Sequence, residues 1–268
     1  MPSVDENLRV WNTEYQWSDA GEEWSAGWGG SRALWFGALL PRIHSFLPTG
    51  TILEIAPGFG RWTEYLKDQC DRLVLVDLSE RCIAHCQERF AGARNIEYHI
   101  NDGWSLDMVD DHSIDFVFSF DSLVHAEADV LECYLAQLAR KLKPDGAGFI
   151  HHSNAHSYWY LLALARVIPG RWRSRLVARG VLVNDRAWRA ESESAERFAR
   201  QCNESGLACV SQEKISWGLG YLLIDALSVF TPRGSRWERP PQVVRNPLFS
   251  QEARRFGSLY ADPAARVV

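Results

Sequence analysis

From residue 51 to residue 152 the sequence alternates short apolar runs with stretches of helical period. The pattern predicts strands over 51–55, 72–77, 96–100, 114–120 and 147–152, and helices over 61–70, 79–90 and 128–142. Strands separated by helical segments of that length need crossover connections, and right-handed crossovers build a parallel sheet covered by helices. The LKPDG turn, with Pro144 and Gly146, ends the last helix sharply. At 268 residues, 46% apolar and 24% charged, the chain suits one α/β domain with additions.

The flanks depart from this alternation. Residues 1–30 set Asp5, Glu6, Glu14, Asp19, Glu22 and Glu23 against Arg9 alone, interleaved with Trp11, Tyr15, Trp17, Trp24 and Trp28. Rings in that number need a surface to cover, so residues 1–50 are expected to form a cap and a first helix. That helix runs through RALWFGALLPRIHSFL, with Leu34, Leu39, Ile43 and Leu47 inward and Pro41 as a kink or break. Residues 51–154 are the core, and 155–190 are an inserted lid carrying seven arginines against one acid, Asp185. Residues 191–232 complete the core with a helix over 191–206 and the runs LACVSQEKISWG and YLLIDALSVFTP. A short turn near Gly218 and Gly220 makes those runs an antiparallel hairpin at the sheet edge. Residues 233–268 read as an irregular tail rich in proline and arginine.

A net charge of -5 argues against general nucleic-acid binding, which needs a basic face. The six scattered cysteines and the lack of a secretory signal or long apolar run fit reduced thiols in a cytoplasm. Cys82 and Cys86 stand one helical turn apart, but no second pair has zinc spacing.

The first strand runs into a glycine turn, LEIAPGFG, and the second ends in Asp77. Gly58 and Gly60 let backbone amides approach a ligand closely. For a dinucleotide the third glycine is missing, because Thr63 stands there, and Glu54 beside a pyrophosphate would repel it. A carboxylate there suits a cation instead, and S-adenosylmethionine is a cationic nucleoside without phosphate. Asp77, 17 positions past Gly60, is placed to accept both ribose hydroxyls. Asp102, followed by Gly103 and Trp104, is placed to meet the adenine amine.

Residues EIAPGFG (54–60), LVLVD (73–77), NDG (101–103), DFVFSFDSLVH (115–125) and LKPDGAGFI (142–150) together resemble the class I S-adenosylmethionine-dependent methyltransferases. The resemblance covers roughly residues 50–232. It implies a Rossmann-like, mostly parallel sheet of seven strands closed by an antiparallel hairpin. It also implies cofactor contacts from Glu54, Ala56, Gly58, Gly60, Asp77, Leu78, Asp102, Gly103 and Phe120, with S-adenosylhomocysteine as product. Ala56 replaces the first glycine of the usual motif.

The chemistry left to the protein is to align the acceptor and, for a hydroxyl, to remove its proton. Base candidates belong at the tips of strands four and five, and four of the eight histidines fall there: His125, His151, His152 and His156. SFDSLVH is similar to the fourth-strand region of bacterial natural-product sugar O-methyltransferases, where a histidine just past the strand is the general base. His125 is therefore the expected base, with Asp121 or one of His151 and His152 orienting it or the sugar. A magnesium variant of such enzymes uses an Asp after strand four and an Asp-Asn pair after strand five. Here Asp121 fits the first but Ser153-Asn154 has lost a carboxylate, so no metal is expected. Trp24, Trp28, His151, Asn154 and His156 are the expected acceptor contacts. GEEWSAGWGG and HHSN resemble methyltransferases of bacterial polysaccharide pathways, which tilts the acceptor towards a sugar or glycan. Competing expectations are a small-molecule N-, C- or phenol O-methyltransferase, or a non-catalytic accessory protein of the same fold. The expected partner is a small-molecule or glycan acceptor, with a homo-oligomer possible and neither nucleic acid nor a transmembrane segment involved.

Overall fold

The computed structural model describes residues 3–179, 181–182, 188–217 and 222–260. Its strands are β1 (Thr49–Ile55), β2 (Cys70–Asp77), β3 (Ile96–Ile100), β4 (Ile114–Ser119), β5 (Leu142–Ser153), β6 (Leu207–Ile215), β7 (Asp225–Pro232) and β8 (Gln242–Asn246). They form one sheet in the order β3-β2-β1-β4-β5-β7-β6-β8. The first five strands pair in parallel. Strand β7 runs antiparallel to both β5 and β6. Chain order reverses between β1 and β4, which opens a crevice at their carboxyl ends, the usual place for a ligand in such sheets.

The central strands are buried on both faces, which is why they read as continuous apolar runs. Ile52, Leu73, Leu75, Phe116, Phe118 and Phe149 pack on one face with Leu34, Trp35 and Leu39 of the first helical region. Leu53, Ile55, Val74, Val76 and Val117 pack on the other with Leu131, Leu135 and Leu138 of the helix Ala128–Lys141. Period-two alternation thus splits each strand between two cores.

Four sequence expectations change. The sheet has eight strands rather than seven, because part of the tail adds as β8, parallel to β6. The hairpin is consequently not at the edge: β7 is interior and β6 is covered. Four exposed residues, Gln242 to Arg245, make up most of β8 and Pro240-Pro241 immediately precede it, so neither an apolar alternation nor a strand-like start announced it. The same tail then forms the helix Phe249–Tyr260. The helix expected over 61–70 shrinks to Thr63–Leu66, since Cys70 already pairs with Thr49 in the next strand.

The first helix is interrupted just ahead of Pro41, the break that is one of the two expectations there. It runs as α-helix over Ser31–Leu34, widens into a π-turn over Trp35–Leu39, and resumes over Leu40–Ile43. Pro41 lacks the N–H that would close a regular turn there, and the widened turn sits just before it. The turn near Gly218 and Gly220, Asp185 and Arg186 lie outside the described residues.

Candidate active site

A cavity of about 300 Å³ opens at the carboxyl ends of β1, β2 and β4. Its floor is the β1 turn, Ala56 to Phe59, with Asp77, Leu78, Asn101 and Gly103 beside it. The loop after β4 supplies Phe120, Asp121 and His125, and the leader roofs the cavity with Asn7, Trp11, Trp17, Trp24 and Trp28. Trp17 stacks on Phe59 with centroids 4.3 Å apart, and Trp28 packs edge-on to Trp217 at 4.9 Å. The tryptophan-rich leader is thus a wall of the site, and its rings find there the surface they need.

The floor is held by short polar contacts. Asp77 accepts from the Gly58 amide at 3.1 Å and the Ser79 amide at 2.8 Å. Burial raises its carboxyl to about 6, against those amide bonds, which lower it. Gly58 and Gly103 sit at φ +58° and +82°, and a Cβ on Gly103 would strike Val4 at 2.6 Å. Ala56 takes the same left-handed conformation, φ 57°, with a methyl group to accommodate. Its carbonyl accepts from Ser122 Oγ at 2.8 Å, one of the contacts that hold this strained turn.

Glu54 and Gly60 lie beneath this floor and do not line the cavity. Gly60 is closed in by Phe90, and Glu54 is buried with Oε2 accepting from Thr63 Oγ1 at 2.6 Å. Burial lifts the Glu54 carboxyl to about 8, so it is largely protonated at neutral pH. Its folded value lies above its unfolded one, so the folded state holds the extra proton and stability falls as pH rises from about 4.5 to about 8. Thermal unfolding across that window should show a loss approaching 1.4 kcal/mol per pH unit from this group, absent in Glu54→Gln.

His125 is buried in the wall with Nδ1 donating to the Trp188 carbonyl. Its ring packs against Trp11 and Trp188, at centroid distances of 5.4 and 5.0 Å, and those two indoles also pack on each other. Burial and the Arg189 guanidinium depress the imidazole to about 4, so it is neutral at physiological pH. With Nδ1 occupied by the proton it gives to Trp188, Nε2 carries a lone pair, and Nε2 has no hydrogen-bond partner among the described residues.

Asp121 does not orient this histidine. Its carboxylate pairs with Arg61 at 2.9 Å, and its amide donates to His151 Nδ1 at 3.1 Å. His151 lies behind the wall, its Nε2 facing Asp225 Oδ2 at 3.4 Å, a spacing wider than a good hydrogen bond. Asp225 also binds Arg189 Nε at 3.0 Å. Burial pushes the Asp225 carboxyl up, but Arg189 and His151 outweigh it and hold the group at about 2. His125 is therefore positioned from the end of the insertion, by Trp188, and not by the strand-five histidines.

Several expected contacts are engaged elsewhere. His152 stacks on Phe198 at 4.1 Å and faces Ser228 Oγ at 2.8 Å, on the far side of β5 from His151. Successive residues of a strand point to opposite faces, so this pair could not both reach the cavity. Asn154 donates to the Leu223 carbonyl and accepts from the Ala195 amide, and His156 Nδ1 meets the Glu191 carbonyl. The Asp121 and Asn154 side chains of the magnesium pattern are thus committed to other partners. Asp102 is exposed and accepts from its own loop's Trp104 and Ser105 amides, while its neighbours Asn101 and Gly103 line the cavity. Arg61, Arg189, Asn7, Trp11 and Trp17 are cavity residues that sequence reasoning missed. Only Arg61 carried a local signal, directly after the glycine turn.

The cavity's own polar atoms bear on whether a nucleoside fits. Asn7 Oδ1 and the indole nitrogens of Trp17, Trp62 and Trp217 are buried without partners among the described residues, and all four residues line the cavity. Buried polar atoms are normally paired, so four at one cavity fit a polar ligand. The strand order, the glycine turn and Asp77 under its first amide define the class I S-adenosylmethionine-dependent methyltransferase fold.

Residues 52–146 match the family model described as a methyltransferase domain. A 59-residue stretch is 37% identical to ribosomal RNA small subunit methyltransferase A of Coxiella burnetii, covering 22% of this chain and 23% of that protein. The match thus spans about a quarter of that relative's length. The PH0226 protein of Pyrococcus horikoshii OT3 is similar in structure, with a TM-score of 0.56 at 22% identity over 81% of this chain and 95% of that one. DhpI, solved as a complex with S-adenosylhomocysteine, has a TM-score of 0.53 at 19% identity, over 86% and 97% of the two chains. Residues 52–146 thus carry a methyltransferase domain, on a fold shared with these structures. Among the described residues no helix is long and apolar enough to cross a membrane.

Proposed function

We propose that this chain transfers a methyl group to a hydroxyl of a sugar or of the terminal residue of a glycan, with His125 as the base. Asp77 and the Gly58 turn would hold the donor's ribose side, with Gly103 and Leu78 beside the adenine. Bound S-adenosylmethionine supplies an already activated methyl group. His125 Nε2 takes the acceptor's proton as the new C–O bond forms and the S–CH3 bond breaks, its electron pair staying on the sulfur of S-adenosylhomocysteine; at that moment the hydroxyl is strongly acidic. This timing suits an imidazole held well below its ordinary value, because a weak base suffices for a proton that is leaving anyway.

The observation that carries the reading is His125 itself: neutral, anchored through Nδ1, and one of the residues that line the cavity. An amine acceptor would need no such group. The aromatic walls formed by Trp24 and Trp28 suit the apolar face of a pyranose, and the cavity's size matches a small ring more than a polymer. The ribosomal RNA enzyme is similar over 59 residues only. That likeness therefore carries no argument about the acceptor. Incubation with methyl-labelled donor and a panel of glycosides, nucleotide sugars, phenols and amines is the test. Label on a sugar hydroxyl is the expected outcome, and label on amines or carbon acceptors alone would sink the proposal.

A further inference from the structure

We propose that the inserted segment after β5 is a docking face for an anionic phospholipid bilayer, on which the domain lies without crossing it. The segment forms two helices, Trp159–Val167 and Gly170–Ala178. In the first, Leu162 and Ala165 face the protein, while Tyr160, Ala163, Leu164 and Val167 form an i, i+3, i+4, i+7 stripe that faces outward. Val167 is 76% exposed and Trp159 62% exposed.

The second helix supplies the charge. Residues 155–182 hold five arginines and no acidic residue, in a chain whose net charge is -5. Arg171 and Arg175 flank the exposed ring of Trp172, with guanidinium carbons 5.9 and 5.5 Å from its centroid. A nucleic acid would use the arginines but has no use for an outward stripe of Leu164 and Val167. A bilayer uses both: apolar and aromatic side chains enter the headgroup boundary while arginines meet anionic phosphates. The acidic residues concentrated in the leader are absent here, so the positive charge is local and complementary to such a surface. The same insertion carries Trp188, whose carbonyl holds His125, so the docked face is continuous in sequence with the cavity wall.

Co-sedimentation of the full chain with vesicles of phosphatidylcholine alone, or mixed with phosphatidylglycerol, is the test. Binding to the mixed vesicles only, weakened by raised salt, is expected. The double variant Arg171→Gln/Arg175→Gln should reduce partitioning about 30-fold. Leu164→Ser/Val167→Ser should reduce it as well, with donor binding and thermal unfolding of both variants unchanged as the check on folding. No binding to the anionic vesicles overturns the proposal. So does equal binding to both vesicle types, or parental binding by both variants. Loss of a dimer in light scattering from Leu164→Ser/Val167→Ser, with vesicle binding untouched, would instead assign the stripe to a second copy of the chain.

Discussion

His125→Ala is expected to lower turnover about 10²- to 10⁴-fold, the usual worth of a positioned base, with donor affinity nearly unchanged. The ring is held so that one nitrogen is already spent. Nδ1 is committed to the Trp188 carbonyl, so the group left to act is Nε2, and no described side chain competes for it. Removing the ring also leaves the Trp188 carbonyl without its donor, which adds a stability cost of about 1–3 kcal/mol. His125→Gln refills part of that space and separates the two effects: stability should recover and turnover should not. The pH profile gives a second readout. With the imidazole near 4, the limb of kcat/KM that reports this base should fall only in acid, leaving the rate flat from about pH 6 to 8 on its account. A turnover unchanged in His125→Ala, with donor still bound, would remove the base assignment.

Much of the parallel layer was legible because its strands are buried on both faces and so write continuous apolar runs between glycine or proline turns. The antiparallel β6 and β7 were equally legible for that reason. Strand β8 was not: four of its five side chains are exposed, and its pairing satisfies only the backbone of an edge. The site divides the same way. Gly58, Asp77 and Gly103 announce themselves because a turn or a strand tip allows few alternatives. The glycine turn also read Glu54 as a direct contact, yet a residue one step earlier on a strand points away from its neighbour Ile55, and Glu54 ends under the floor. Trp11 and Trp17 could be read as needing a surface, but which surface depends on long-range packing that no local pattern encodes. The Trp188 carbonyl that holds His125 is a backbone atom 63 residues away, and backbone acceptors leave no mark in a sequence.

Asp77→Ala should weaken donor binding at least about 10²-fold, since hydrogen bonds from two ribose hydroxyls to a carboxylate are each worth roughly 1.5–3 kcal/mol. The floor would suffer too. The Gly58 and Ser79 amides now donate to this carboxylate, and without it both are left buried and unpaired. Asp77→Asn distinguishes recognition from scaffolding. Its amide oxygen can still accept from one of the two backbone amides, which preserves part of the turn, but it can accept from fewer ribose hydroxyls. An intermediate loss of affinity with near-parental unfolding is therefore expected. The raised carboxyl adds a pH signature. Below about 6 the protonated acid loses acceptor capacity, so donor affinity should fall as pH drops through that value. Folding responds in the opposite sense, because a carboxyl raised by burial makes the folded state less stable as pH rises from 3.8 to about 6. Calorimetric titration with donor between pH 5 and 8, run beside thermal unfolding, should show the two trends crossing in the parent and both flattened in Asp77→Asn. A donor affinity independent of pH and untouched by Asp77→Ala would place the ribose elsewhere in the cavity.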